Sequence, residues 1–405
     1  MSRPHTPGSR LWGQALILSL GAAVSLGVTR FAYGLLLPPM RESLEWSYTL
    51  AGAMNTANAA GYLLGALLMP RLLRRWPPGA VLRMGMALAA LFMALSGFVT
   101  DAGMLMVQRL LAGWASALVF VTGGLLAARL AQQRPQQGGW LIGLYYGGTG
   151  WGIVVSTWVV PWVLTVPHDW PRAWWVLACT CALALMALWR TVGQLDQQQG
   201  QAAVTRSEGA IRFELSQWLF GLAGYACFGM GYIGYMTFVI ALLRAQGASG
   251  SSITVFYSAL GLAVVLSARL WARLLDHFKG GQALAILNAL LALATVVPAL
   301  AAPAWALGLS GLLFGAVFLS VVASTTAMVR HNLPADEWAR GISAFTIVFA
   351  VGQIIGPTLV GWVADGPGGL TRGLACSAAV LLLGAVLAWR QRPLAHPAAG
   401  KQGVD

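Results

Sequence analysis

Two arginines stand inside otherwise apolar runs of this 405-residue chain: Arg30 between Leu11 and Leu37, and Arg109 between Gly103 and Arg129. A cationic side chain at the centre of a membrane-spanning helix costs about 2.5–3.5 kcal/mol on insertion scales, so neither stands there by indifference. A guanidinium offers five donors in a planar fork that grips a carboxylate or phosphate two bonds at a time. The acidic residues Asp101, Glu214, Asp276, Asp336, Glu337 and Asp365 fall at the ends of the runs, and no Asp, Glu or His lies deep enough to neutralise either arginine. The pair therefore predicts an anionic ligand, held by Arg30, with Arg109 assisting or positioning its helix. The alternatives are snorkelling toward the headgroups or donation to backbone carbonyls for Arg30, and helix packing for Arg109. Arg30 precedes Pro38 by eight positions and Arg109 follows Asp101 by eight. At about 1.5 Å per residue both then lie about 12 Å from one membrane face, just short of the midplane. Tyr33, Asn55, Asn58, Tyr232, Tyr235 and Tyr257 are the polar groups that could bond the uncharged part of a solute or, equally, a neighbouring helix.

The elements that must carry these residues are helices in lipid. Hydrophobic residues make up 58% of the chain and charged ones 9%, a balance that would leave large apolar patches on a water-soluble domain. Runs such as 80–99 and 283–302 are apolar on every face, whereas strands of a membrane barrel alternate. Twelve spans are predicted: 12–37, 49–73, 80–99, 103–129, 139–165, 173–190, 215–243, 251–274, 282–302, 304–329, 340–364 and 371–389. The expected fold is all-α and polytopic, with an N-terminus at 1–10, a six-helix bundle at 11–190, a linker at 191–213, a second bundle at 214–390 and a tail at 391–405. The Leu11–Leu37 run is too long for a signal-peptide core and is read as a retained first helix.

Of the 25 basic residues, nineteen fall on one side of this arrangement, four (Arg41, Arg172, Arg244, Arg372) on the other and two inside it. That asymmetry puts both termini and the linker in the cytoplasm of a bacterial inner-membrane protein. It also accounts for the net charge of +13 without a nucleic-acid partner, since the charge is spread over many short loops. Thirteen of the eighteen tryptophans fall near span ends and are read as interfacial anchors, Trp46, Trp170 and Trp174 among them. Cys179, Cys181, Cys227 and Cys376 lie inside apolar runs and are expected to be reduced thiols, with neither metal nor cofactor.

Shifted by 202 residues, the chain superposes on itself: Pro70–Gly79 on Ala272–Gly281, Gly27 on Gly229, Arg30 on Tyr232, Tyr33 on Tyr235, Asn55 on Tyr257, Gly113 on Gly315 and Gly150 on Gly352. One offset near half the length argues for duplicated bundles. With basic loops after the second and eighth spans, this resembles the major facilitator superfamily. The family's loop motif is matched in part by Ala272, Asp276, His277 and Phe278, while the first copy has Pro70, Arg74 and Pro77 in the Gly, Asp and Gly places. Arg109 with Gly113, and Gly356-Pro357 with Gly361, are similar to its fourth- and eleventh-helix signatures. The stretch Thr29-Arg30-Phe31-Ala32-Tyr33-Gly34, followed by Asn55-Thr56-Ala57-Asn58, resembles the YbfB/YjiJ-type branch. The resemblance implies a secondary transporter that works by alternating access, as a monomer, with helices one and four facing a central cavity. It further implies gating or helix-packing roles for Arg71, Arg74, Gly113, Arg273, Asp276, Gly356 and Pro357.

Other classes find little support. No HExxH, GxSxG or phosphate-binding GxxxxGK[ST] motif is present, so neither an intramembrane enzyme nor an ATP-driven pump is expected. An exporter of lipophilic compounds would use the same fold with its aromatics and thirteen methionines, and a non-transporting sensor would show no flux. Protons are an open partner, because the titratable groups lie at span ends.

Overall fold

The computed structural model describes residues 7–134, 137–197, 213–300, 303–334 and 337–394. Among these it is helical throughout, in twelve long rods. Rod α1 joins Pro7–Ala22, a π-helical stretch Ala23–Phe31 and Tyr33–Leu44. The next five are α2 (Tyr48–Arg75), α3 (Pro78–Ser96), α4 (Ala102–Gln132), α5 (Gly138–Val163) and α6 (Trp170–Gln197). The remaining six are α7 (Leu219–Ala245), α8 (Gly250–Leu270), α9 (Gln282–Val296), α10 (Ala304–Asn332), α11 (Trp338–Asp365) and α12 (Gly369–Trp389), with a short helix Ala272–His277 after α8. Ten rods are long and apolar enough to cross a membrane. The other two, α2 and α5, have 28 and 26 residues and are long enough. Their Asn, Thr, Gly, Tyr and Trp content lowers their hydropathy; Asn55, Asn58 and Thr149 face other helices, while Leu67, Trp158 and Trp162 are exposed.

Local chemistry sets the ends. Ser47 and Asp101 each accept a hydrogen bond from the backbone N–H three residues on, at 3.1 and 2.8 Å, capping α2 and α4. Such a cap satisfies one of the four orphan donors at a helix start. Two ends run furthest past the sequence-based expectation. Helix α1 continues through Pro38 and Pro39 to Leu44, so Arg30 lies fourteen residues from that end and the equal-depth count from Pro38 does not hold. Helix α6 runs past Arg190 to Gln197 because Leu188, Val192 and Leu195 continue a buried stripe. The linker therefore loses its first seven residues to α6, and 198–212 lie outside the described residues, as do 1–6 and 395–405.

The rods pack as two sets. In the first, α2 and α3 pack on α4, α3 on α6, and α1 on α5; in the second, α7 packs on α11 and α12, α9 on α10 and α12, and α10 on α8. The sets meet along α2–α11, α5–α8 and α1–α7. The 202-residue repeat is visible in the close crossings. A methyl added to Gly113 would overlap the Asn58 carbonyl, and one added to Gly315 the Leu260 carbonyl, which is the same crossing one repeat later. Gly27 meets Thr149 and Gly152 just as Gly229 meets Phe349 and Gly352. Most end tryptophans, such as Trp162 and Trp305, are exposed as anchors should be. Trp46, Trp170 and Trp174 are buried instead, Trp170 donating to Ser43 near the end of α1 and Trp174 lying against the Arg109 guanidinium, which corrects their reading as interfacial.

Candidate functional site

The π-helical stretch of α1 decides how both arginines are placed. In it the N–H of Ala32 bonds the carbonyl of Gly27, five residues back, at 3.1 Å, and all nine residues are buried. A wider turn leaves carbonyls free for partners from other helices, which is why such bulges recur at functional sites. Arg109 of α4 takes one of them: its Nη1 donates to the Thr29 carbonyl at 2.8 Å and its Nη2 to Asn55 Oδ1 at 3.0 Å. Its guanidinium also lies 4.9 Å from the Tyr33 ring centroid and 5.6 Å from that of Trp174. Cation–π contact of this kind stabilises a desolvated guanidinium in place of a counter-ion. Arg109 thus ties α1, α2 and α4 together, which is the packing alternative weighed for it from the sequence.

Arg30 is different. It is 2% exposed, yet its Nε and Nη2 have no hydrogen-bond partner, whereas Arg109 leaves only its Nε without one. A buried, unpaired cationic donor is costly. The Tyr62 ring lies 5.8 Å from its guanidinium, and the Tyr232 hydroxyl is within electrostatic reach. Arg109 is near enough to repel it. Among the described residues neither arginine has an acidic partner; ion pairs such as Arg172–Asp169 and Arg340–Glu337, at 2.8 and 3.0 Å, lie at helix ends.

The remaining polar candidates divide. Tyr33 donates to the Ala51 carbonyl at 2.9 Å and Asn58 to the Arg109 carbonyl at 3.1 Å, both within the first set of helices. Tyr235 bonds Ser310 at 3.0 Å and stacks on Phe314. Two others bridge the sets: Asn55 Nδ2 donates to Thr237 Oγ1 at 2.8 Å and Tyr257 to the Phe31 carbonyl at 3.0 Å. Tyr232 donates to Gln353 at 3.0 Å, which fixes its ring beside Arg30. Sequence reasoning missed Tyr62, although it follows Asn55 and Asn58 at the seventh and fourth positions of one helical stripe. It also missed Phe120, Tyr146, Phe318, Phe349 and Gln353, which no local pattern distinguishes from ordinary packing residues.

These aromatics outline a chamber. Tyr62 and Tyr146 lie deep in the protein but keep accessible surface, as do Phe120 and Phe349. All four stand on the side of Arg30 toward the arginine-rich helix ends. Toward the other ends the two sets are shut. There Thr56 bonds the Ile354 carbonyl and Thr358, at 2.6 and 2.7 Å, and Gly52 and Gly361 let α2 and α11 touch backbone to backbone at Pro357 and Tyr48. Asp365, the last residue of α11, accepts from the Tyr48 and Thr49 N–H groups and the Thr49 hydroxyl, at 2.7, 2.9 and 2.6 Å. That carboxylate caps the start of α2 from the opposite set, where the helix dipole favours a negative charge. Among the residues expected to gate, Gly113 and Gly356 sit at close crossings with Asn58 and Met230. Arg71, Arg74, Arg273 and Asp276 are exposed at the arginine-rich end; among the described residues Asp276 forms no ion pair. Two surface grooves, one lined by Ile286, Ala289 and Trp389 and one by Phe220, Gln282 and Arg392, share no residue with the chamber.

Two six-rod sets, related by an internal repeat, around a chamber shut at one end are the architecture of an alternating-access carrier. The sequence profile of the family described as "Uncharacterised MFS-type transporter YbfB" matches residues 22–389. The chain belongs to this family of major facilitator transporters. The inner membrane transport protein YdhP of Escherichia coli (strain K12) is 23% identical over 357 residues, which cover 85% of this chain and 88% of that protein. Among solved structures, the nucleoside transporter NupG superposes with a TM-score of 0.72 at 14% identity, over 94% of this chain and 98% of that one. A bacterial homolog of the human lysosomal transporter Spinster, inward-facing and unoccupied, gives a TM-score of 0.69 at 14% identity, over 96% and 97% of the two chains. At such identity these two show the fold alone. The protein is a multi-pass membrane transporter whose two bundles alternate access to a small-molecule site.

Proposed function

We propose that this transporter carries a small organic anion, that Arg30 is its charge receptor, and that the arginine-rich helix ends face the cytoplasm. The observation that carries the reading is the buried Arg30 guanidinium, with two unpartnered nitrogens and, among the described residues, no acid beside it. An incoming carboxylate displaces the partly exposed Tyr62 ring, accepts from Nε and Nη2 together, and removes the cost of an unpaired buried charge. Arg109 contributes positive potential but has its own bonds to Thr29 and Asn55, so it positions rather than grips. Asn55 and Tyr257, which bridge the bundles, release their partners when the opposite end opens. The basic-residue asymmetry supports the cytoplasmic placement of both termini. Each copy holds a whole chamber between its own bundles, which suits a monomer.

Vesicle uptake of a panel of radiolabelled organic acids tests this. Removing one partner of a buried, hydrogen-bonded charge pair costs about 2–5 kcal/mol. Arg30→Gln should therefore lower apparent affinity by about thirty-fold or more, and Arg30→Lys, which loses the bidentate fork, should recover only part. Normal flux and affinity for acids in both variants would refute the assignment.

A further inference from the structure

The walls of the chamber say more about the cargo than its charge does. Tyr62, Phe120 and Tyr146 come from the first bundle, with ring centroids 6.4 Å apart for Tyr62–Phe120 and 5.4 Å for Phe120–Tyr146. From the second bundle come Tyr232, Phe318 and Phe349. The Tyr232 ring lies 5.9 Å from Phe318 and 5.7 Å from Phe349, with planes within 10° and 14° of parallel. Arg30 sits where the two groups converge, within electrostatic reach of both Tyr62 and Tyr232. Aromatic rings from both bundles, those of the second stacked on one another with near-parallel planes, meet at Arg30 and can extend the stack to a flat, apolar body, because offset stacking is most favourable at centroid separations of about 4.5–7 Å.

We infer that the cargo is an aromatic monocarboxylate, its carboxylate on Arg30 and its ring between the Tyr62–Tyr146 and Tyr232–Phe349 walls; this rests on the anion reading above. A dicarboxylate would set its second charge against rings, because both terminal nitrogens of Arg109 are already taken by Thr29 and Asn55. Inorganic phosphate would satisfy Arg30 but add nothing to the stack. A lipophilic cation would meet two arginines and, among the described residues, no acid. A saturated ring carries the same charge and nearly the same apolar area but has no π face to stack.

Ligand-dependent thermal unfolding of the purified full-length chain, read as apparent affinity, tests the inference with benzoate, cyclohexanecarboxylate, hexanoate, succinate and benzamide as probes. Benzoate should bind about tenfold more tightly than cyclohexanecarboxylate or hexanoate, and succinate and benzamide should not stabilise. Phe349→Leu and Tyr62→Leu should each reduce the preference for benzoate over cyclohexanecarboxylate to about twofold or less. Should one variant fail to fold, the other and the wild-type ranking still decide. If cyclohexanecarboxylate, hexanoate or succinate equals or exceeds benzoate, the aromatic inference falls while the anion reading stands. If benzamide binds as well as benzoate, or none of the acids stabilises the protein, both fall.

Discussion

Replacing Asp365 by alanine removes all three hydrogen bonds that its carboxylate accepts from Tyr48 and Thr49. Loss of a capping side chain costs about 0.5–2 kcal/mol, and a surface charge at a helix start about 0.3–1 kcal/mol. Because the residue is exposed, the sum belongs near 1–2 kcal/mol rather than at the larger values of buried pairs. These bonds cross from α11 to α2, so they exist only while the arginine-poor ends of the bundles are together. The whole loss therefore falls on that state, and the ratio of open to closed at this end should rise about five- to thirty-fold. Spin labels at Thr100→Cys and Ser251→Cys, in a background without Cys179, Cys181, Cys227 and Cys376, would read the distance between the bundles there. Asp365→Ala should enlarge the long-distance population by that factor. Asp365→Asn, whose single carbonyl oxygen can keep part of the set, should fall between. An unchanged distance distribution in Asp365→Ala would mean that the contact does not hold the ends together.

Three further outcomes follow from the geometry. Gly113→Ala would drive a methyl into the Asn58 carbonyl at the α2–α4 crossing, whereas Gly308 has open space around it. Gly113→Ala should thus cost about 1–3 kcal/mol and lower the melting temperature in detergent, with Gly308→Ala near neutral. Arg109→Met removes two charge-assisted bonds worth about 1.5–3 kcal/mol each, so it should lower the melting temperature by several degrees; Arg109→Lys should not restore it, because an ammonium cannot span Thr29 and Asn55 together. Tyr257→Phe loses the inter-bundle bond to Phe31, about 0.5–1.5 kcal/mol, and should open the arginine-poor end in the same spin-label assay by a smaller factor than Asp365→Ala.

The spans were legible because a helix in lipid must satisfy its backbone internally and meet water abruptly. Ser47, Pro77 and Asp101 mark such boundaries in the sequence as clearly as in the fold. Pro38 and Pro39 did not end α1, since a helix packed on its neighbours tolerates missing donors that a solvated one does not. The end of α6 was hidden for the opposite reason: its last turns look polar, and only Leu188, Val192 and Leu195 reveal a buried face. The burial of Arg30 and Arg109 followed from the cost of charge in an apolar run. Their division of labour did not, because it depends on a π-helical turn that frees the Thr29 carbonyl, and α-helical periodicity gives no sign of that turn. The aromatic walls were likewise out of reach, since Tyr62, Phe318 and Phe349 meet only through tertiary packing. Asp365 read as an ordinary span-end acid until α2 was seen to begin beside it.

Isothermal titration of the tightest-binding organic acid into the wild type and Arg30→Gln, side by side, bears most directly on the proposed charge receptor. The wild type should bind and the variant should lose about thirty-fold or more in affinity, with melting temperatures showing that both are folded. Equal affinity in the two proteins would contradict it.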